Sequence, residues 1–248
     1  MRSLYLLIAL LFFSGCGPVK KKQVTVAVAA NMQLAMDSIA ILFEEEHSIK
    51  CKITAASSGV LTAQIEKGAP YDVFMSANMA YPLKLEESGF GSAPKVYAHG
   101  RLILVYSKEL NFKTISDVLA STEIDKVALA DPKTAPYGKA AKQYMINTGQ
   151  LKEYDSKLIY GESIGQVNQY LTLNAVKAAF TSYSFIVKNA HKFNFIEVEQ
   201  KYFDEILQGV SLLKKGEKDN AESSAQFIDF LKSDKCRKVL EYFGYFVP

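Results

Sequence analysis

The sequence predicts an α/β protein of two lobes, each built on a mostly parallel sheet flanked by helices. Three observations carry this expectation. From Val24 onward, short β-branched runs alternate with stretches of helical apolar spacing, the pattern of a parallel sheet covered on both faces. The alternation occurs twice, over 24–76 and again over 126–173, with no long linker between the units. Two apolar segments, Leu102 to Val105 and Leu207 to Leu212, lie between units and are the natural places for the chain to cross from lobe to lobe. The composition agrees: 49% hydrophobic and 22% charged residues exclude a disordered chain, and 248 residues suit two units of about 100 residues each. The expected division is 24–100 with 208–248 for the first lobe and 101–207 for the second.

The amino terminus is of another kind. Arg2 is the only charge before Lys20, and Leu4 to Phe13 is an apolar run of ten residues. A membrane-spanning helix needs roughly 20 apolar residues. A basic start, a short apolar centre and small residues after it describe a secretory signal over residues 1–15. The run ends Phe13-Ser14-Gly15-Cys16, which resembles the lipobox of bacterial lipoproteins. That resemblance implies cleavage before Cys16 and lipid on its thiol, with residues 16–23 as a tether. The mature protein is then held on the periplasmic side of a bacterial membrane, or on the cell surface of a single-membrane bacterium. The net charge is +3, from 29 Lys and Arg against 26 Asp and Glu, and gives no footprint for nucleic acid. Cys51 and Cys236 could pair in an oxidising compartment, although free buried thiols are the favoured expectation.

Each element follows from local pattern. Val24 to Ala29 (VTVAVA) fits a buried strand, and Asn31 is an N-cap candidate for a helix carrying Leu34, Ile39, Leu42 and Phe43. Cys51 to Ala55 reads as the next strand. Ser57 and Ser58 are cap candidates for a helix that ends at Gly68, and Tyr71 to Ser76 is a third strand. Arg101 to Tyr106 (RLILVY) is the most apolar strand. Thr114 and Asp117 form a capping-box start, Lys126 to Ala130 is a strand, and Tyr137 to Asn147 is a helix closed by Gly149. Leu158 to Tyr160 is a strand, after which Ser163 caps a helix over 164–173. Ala178 to Thr181 and Phe195 to Val198 are further strands. Helices over 221–232 and 235–243 close the chain, with Phe227, Phe230, Tyr242 and Phe243 as core residues.

Four places share one chemistry. Ala30-Asn31, Ser57-Ser58-Gly59, Pro136-Tyr137-Gly138 and Ser163-Ile164-Gly165 each turn a strand end into a helix start with small or polar residues. A helix start carries unpaired N–H groups and about half a positive charge, which makes it an anion site when several converge. In open α/β sheets ligands sit at the carboxyl ends of the strands, where these turns lie. Residues 29–34, 55–62, 134–138 and 162–167 hold no Lys or Arg, and Glu162 is their one carboxylate. An anion held there is held by dipoles and hydrogen bonds.

The same residues carry a family resemblance. VAVAANMQLAMDSIAILF, AASSGVLTAQIEKGAPYDVFMSAN and ADPKTAPYGKAAKQYM resemble the molybdate-binding proteins of ABC transporters, the ModA type. With a weaker match over 163–185, the resemblance covers nearly the whole mature chain. It implies the type II periplasmic-binding-protein fold, two lobes closing on one tetrahedral oxyanion, molybdate or tungstate. By position it implies contacts from Asn31, from Ser58 with Ser57 and Gly59 beside it, and from the backbone N–H groups of Tyr137 and Ile164. The family's tyrosine hydroxyl falls on Ser182, with Tyr183 adjacent on what alternation makes the other face of a strand. The resemblance further implies an ABC permease and its ATPase as partners, and a monomer without cofactor or cation site.

Molybdate is a dianion with four acceptor oxygens and no proton, so a site made only of donors suits it. Protonated phosphate would leave a donor facing donors, at a cost of roughly 1–3 kcal/mol. Sulfate or another oxyanion is the alternative ligand. A serine-dependent hydrolase is a further alternative with little support: there is no G-x-S-x-G elbow, no H-E-x-x-H and no P-loop. The three histidines, His47, His99 and His191, are scattered and form no metal set. His47 and His191 are expected to be solvated.

Overall fold

A computed structural model describes residues 22–248; the expected leader and Cys16 lie outside the described residues. The first unit runs β1 (Gln23–Ala29), a 3-10 turn (Ala30–Met32), α1 (Gln33–His47), β2 (Lys50–Ala56), α2 (Ser58–Glu66), β3 (Val73–Ser76), α3 (Ala80–Glu87) and β4 (Lys95–Gly100). The second runs β5 (Leu102–Ser107), α4 (Ile115–Ala120), β6 (Val127–Ala130), α5 (Pro136–Asn147), α6 (Leu151–Tyr154), β7 (Leu158–Gly161), α7 (Ile164–Thr172), β8 (Ala178–Ser182), α8 (Tyr183–Asn189) and β9 (Phe193–Glu197). The chain then returns through β10 (Ile206–Leu212), α9 (Lys214–Asp219), α10 (Ala221–Phe230) and α11 (Asp234–Tyr242).

Two five-stranded sheets result, in the orders β2-β1-β3-β10-β4 and β7-β6-β8-β5-β9. Both are mostly parallel, as expected, with one reversed strand each, β10 in the first and β5 in the second. In the first, β2, β1 and β3 run parallel while β10 lies antiparallel to β3 and β4. In the second, β7, β6 and β8 run parallel while β5 lies antiparallel to β8 and β9. The β-α-β repeats set the parallel strands. The antiparallel ones are those next to the crossings, where the chain enters or leaves a lobe without a helical return.

The apolar strands β5 and β10 do not themselves cross. β5 pairs wholly within the second sheet, and β10 wholly within the first, from Ile206 opposite Gly100 onward. The crossings are Arg101, between β4 and β5, and residues 198–205 between β9 and β10. Apolarity marked these strands because they are central in their sheets and covered on both faces, as their burial shows.

Each sheet has its own core. In the second, Leu104, Val105, Val127, Leu129 and Phe180 are fully or nearly fully buried, each such side chain contributing about 1.5–3 kcal/mol. In the first, the C-terminal helices fold back onto α1: Phe227 meets the Phe43 ring edge-on at 5.2 Å. Phe227, Phe230 and Phe243 are core, as expected, but Tyr242 is 62% exposed because it lies on the outer face of α11. His47 is half-buried rather than solvated, its ring 4.8 Å from that of Phe43.

Candidate functional site

The carboxyl ends of the parallel strands bring the four turns together around one small cavity. It is lined by Ala29 at the end of β1 with Ala30 and Asn31 after it, Ser57 and Ser58 after β2, and Ala77 after β3; the second unit supplies Ala135, Pro136 and Tyr137 before and in α5, and Ile164 at the start of α7. The enclosed space is small, about 10 Å³, far below the roughly 300–1,000 Å³ of pockets for larger organic ligands. No Lys, Arg, His, Asp or Glu lines it. Glu162, the one carboxylate of these segments, is exposed to solvent.

Local sequence sets each turn. Ser57 is the residue before α2, with extended backbone (φ −66°, ψ 149°), yet its hydroxyl caps nothing. That Oγ is buried and has no hydrogen-bond partner, a costly state for a hydroxyl inside a protein. Ser58, fully buried, uses its Oγ to accept from the Ala77 N–H at 3.0 Å, which ties α2 to the end of β3. Pro136 opens α5 at the position where a missing N–H costs nothing. The next N–H, that of Tyr137, lies in the first turn and has no acceptor within the helix. Gly138 follows because a Cβ there would overlap the Ala130 carbonyl. Ser163 caps α7 by accepting from the Gln166 N–H at 3.3 Å, leaving Ile164 as the first helical residue.

Three expected contacts are placed differently. Asn31 lies within the 3-10 turn and caps no helix. Its Nδ2 donates to Gln208 Oε1 at 3.0 Å and to the Tyr245 hydroxyl at 3.1 Å, so both amide protons are used inside the protein. What Asn31 offers the cavity is its first-turn backbone. The Gly59 N–H is likewise engaged, donating to the Thr134 carbonyl at 2.9 Å. Ser182 is buried but does not line the cavity; its Oγ is 2.8 Å from Ser184 Oγ, which in turn donates to the Asn31 carbonyl at 2.8 Å. Tyr183 does not continue a strand. It opens α8, stacks under the Arg101 guanidinium at 3.9 Å and meets the Phe195 ring edge-on.

Sequence reasoning missed the residues behind the turns. Tyr245, Gln208 and Ser184 hold Asn31 from the C-terminal tail, from β10 and from α8. Tyr137 contributes more than a backbone donor, since its buried ring reaches the crossing, where a Cβ on Gly100 would run into its hydroxyl.

Elsewhere, an open depression of about 620 Å³ is lined by Lys22, Thr25, Asp72, Lys215 and Asp219, among others. It reads as a solvated cleft beside a structural carboxylate, because Asp72 Oδ2 already accepts from Thr25 N, Thr25 Oγ1 and Asn220 Nδ2. Among the described residues no group of three or more His, Cys, Asp or Glu is placed to hold a metal ion. No histidine lines the cavity, so neither serine there has a base beside it.

Comparison with known proteins agrees with this geometry. The family model for bacterial extracellular solute-binding proteins matches residues 24–246. The chain is 32% identical over 230 residues to the molybdate-binding protein ModA of Rhodobacter capsulatus, covering 92% of this chain and 90% of that protein. It is 34% identical over 227 residues to ModA of Azotobacter vinelandii, covering 90% and 89%. The solved structure of the Azotobacter vinelandii periplasmic molybdate-binding protein superposes with a TM-score of 0.85 at 27% identity, over 91% of this chain and 99% of that one. With its two sheets, its uncharged cavity and a match over nearly all the described residues, the chain belongs to the family of bacterial extracellular solute-binding proteins, among relatives of the ModA type.

Proposed function

We propose that this protein captures a tetrahedral oxyanion, molybdate and also tungstate, outside the cytoplasm and delivers it to an ABC permease driven by its ATPase. The observation that carries the reading is the buried, unpartnered Ser57 hydroxyl in a cavity without a charged side chain. An unpartnered buried donor is offset only by a ligand that accepts. The other donors are the Ser58 hydroxyl and the first-turn N–H groups at Asn31, Tyr137 and Ile164. All are donors, which suits an anion carrying no proton. The names of the relatives point the same way.

The lobes divide near Gly100–Arg101 and again in the segment before β10, and the anion bridges them. It contacts both lobes only when they are closed, so its binding shifts the population toward the closed form that a permease reads. Cys16 carries the lipid that keeps the protein at the membrane as a monomer.

Isothermal titration of the mature protein tests the reading. Molybdate and tungstate should bind with submicromolar affinity, and sulfate should not compete at similar concentration. No heat with any of the three sinks the assignment. Sulfate binding as tightly as molybdate would make it a sulfate carrier instead.

A further inference from the structure

Beside the cavity the two lobes touch through a contact that involves no donor assigned to the anion. Tyr81 stands in the first turn of α3, on the first lobe. Its hydroxyl donates to the Lys133 carbonyl at 3.1 Å, in the turn that follows β6 on the second lobe. Next to it the Gly59 N–H donates to the Thr134 carbonyl at 2.9 Å, in the same turn. The three segments are packed so closely that a Cβ on Gly59 would sit 2.8 Å from the Tyr81 hydroxyl and 3.0 Å from both Cα and O of Thr134.

The turn on the far side is stiff. The Asp131 side chain accepts from the Lys133 N–H at 2.9 Å, and the Asp131 carbonyl accepts from the N–H groups of Thr134 and Ala135. It leads directly into Ala135, Pro136 and Tyr137, which line the cavity. On the near side Gly59 follows Ser57 and Ser58, which line the opposite wall. The contact therefore joins the two walls immediately outside the cavity.

We propose that Tyr81, with Gly59, is a positioning residue for the anion: together they fasten the starts of α3 and α2 to the 131–135 turn and so hold both sets of donors at their closed spacing. This rests on the oxyanion reading above. The bound anion leaves only after the lobes part, so a fastening that exists only in the closed form slows release and leaves capture unchanged.

The test uses the mature protein with molybdate, by titration and by stopped-flow release. Tyr81→Phe keeps the ring and removes one hydrogen bond. The release rate should rise about three- to tenfold, with the association rate, the melting temperature of the ligand-free protein, and the ranking of molybdate, tungstate and sulfate all unchanged. Gly59→Ala should weaken binding about tenfold or more by holding the walls apart. Lys84→Ala, on the same helix but ion-paired to Glu66 within the first lobe, should change nothing. Wild-type release kinetics in both Tyr81→Phe and Gly59→Ala overturn the proposal and leave the oxyanion site standing. A wild-type protein that binds no oxyanion overturns both. A changed anion ranking in Tyr81→Phe would make Tyr81 a ligand contact and end the positioning role.

Discussion

The Asn31 side chain donates to Gln208 Oε1 at 3.0 Å, tying the first turn after β1 to the strand that brings the chain back into the first sheet. The Tyr245 hydroxyl joins them, accepting from Asn31 Nδ2 and donating to the Asn31 carbonyl at 2.7 Å. Asn31→Ala removes the amide and leaves buried acceptors on Gln208 and Tyr245. It should cost about 1–3 kcal/mol of stability, read as a lower urea midpoint. Anion affinity should fall with it, since the turn loses its fixed position.

Ser57 and Ser58 are adjacent but should answer differently to the same change. Ser57→Ala deletes a hydroxyl that has no partner in the protein, so ligand-free stability should stay level or rise slightly. Molybdate affinity should drop about tenfold or more, the worth of a hydrogen bond to a charged group. Ser58→Ala also strands the Ala77 N–H and should lower stability by about 1 kcal/mol as well as affinity. Paired titrations and melting curves on the two variants separate the cases. Equal loss of stability in both would contradict the geometry.

Three tyrosine hydroxyls buried around the crossing give the protein an alkaline limit. Burial pushes Tyr97 and Tyr137 well above the ordinary value of 10, and raises Tyr245 to about 12. The folded state thus holds these protons more tightly than the unfolded chain. Stability from this source is complete below pH 10 and drains away as pH climbs from there through about 12. Melting temperature measured against pH should fall over that window, and less steeply in Tyr97→Phe.

Cys51 and Cys236 are free, and burial lifts both thiols to about 12, with Glu44 adding to the effect at Cys51. The thiolate is the reactive form, so at pH 8 both should resist alkylation in the native protein and react promptly once it is unfolded. Peptide mass mapping of the two sites before and after denaturation checks this.

Gly138 is required by crowding. A Cβ there would overlap the backbone carbonyl of Ala130, and that carbonyl has no freedom to move within β6. Gly138→Ala should displace the start of α5, lower stability by about 1–3 kcal/mol and abolish high-affinity binding. Gly149→Ala, at the far end of the same helix, should affect stability through its positive φ of 74° and leave binding intact.

Much of this architecture could be read from the chain. The Val24–Ala29, Cys51–Ala55 and Lys126–Ala130 strands lie where β-branched or apolar runs put them, and the Thr114–Asp117 capping box forms complete. Other elements left no such mark. The helix over Ala80–Glu87 carries Pro82 in its first turn and few apolar positions, so its period is faint. At Ser182 the backbone stays extended and then turns into a helix, which is why strand alternation misplaces Tyr183. The four turns of the site were legible because small polar residues after a strand have a local meaning. Their supports were not: Gln208 and Tyr245 reach Asn31 from far along the chain, and nothing in the words around them marks a destination.

The first sheet has an order of assembly written into it. In its sheet β4 pairs with β10, and its other edge is bridged at His99 by Phe246, so the strand made before the whole second lobe waits for partners made after it. The aromatic residues of α10 and α11 that complete the first core, and the Tyr245 hydroxyl that fixes Asn31, come later still. A polypeptide released early, or trimmed at its tail, keeps an uninterrupted second lobe and every one of the four cavity-lining turns, yet leaves the first lobe unfinished. Completion of the first half therefore depends on residues 221–245, which close its core and pin the turn at Asn31.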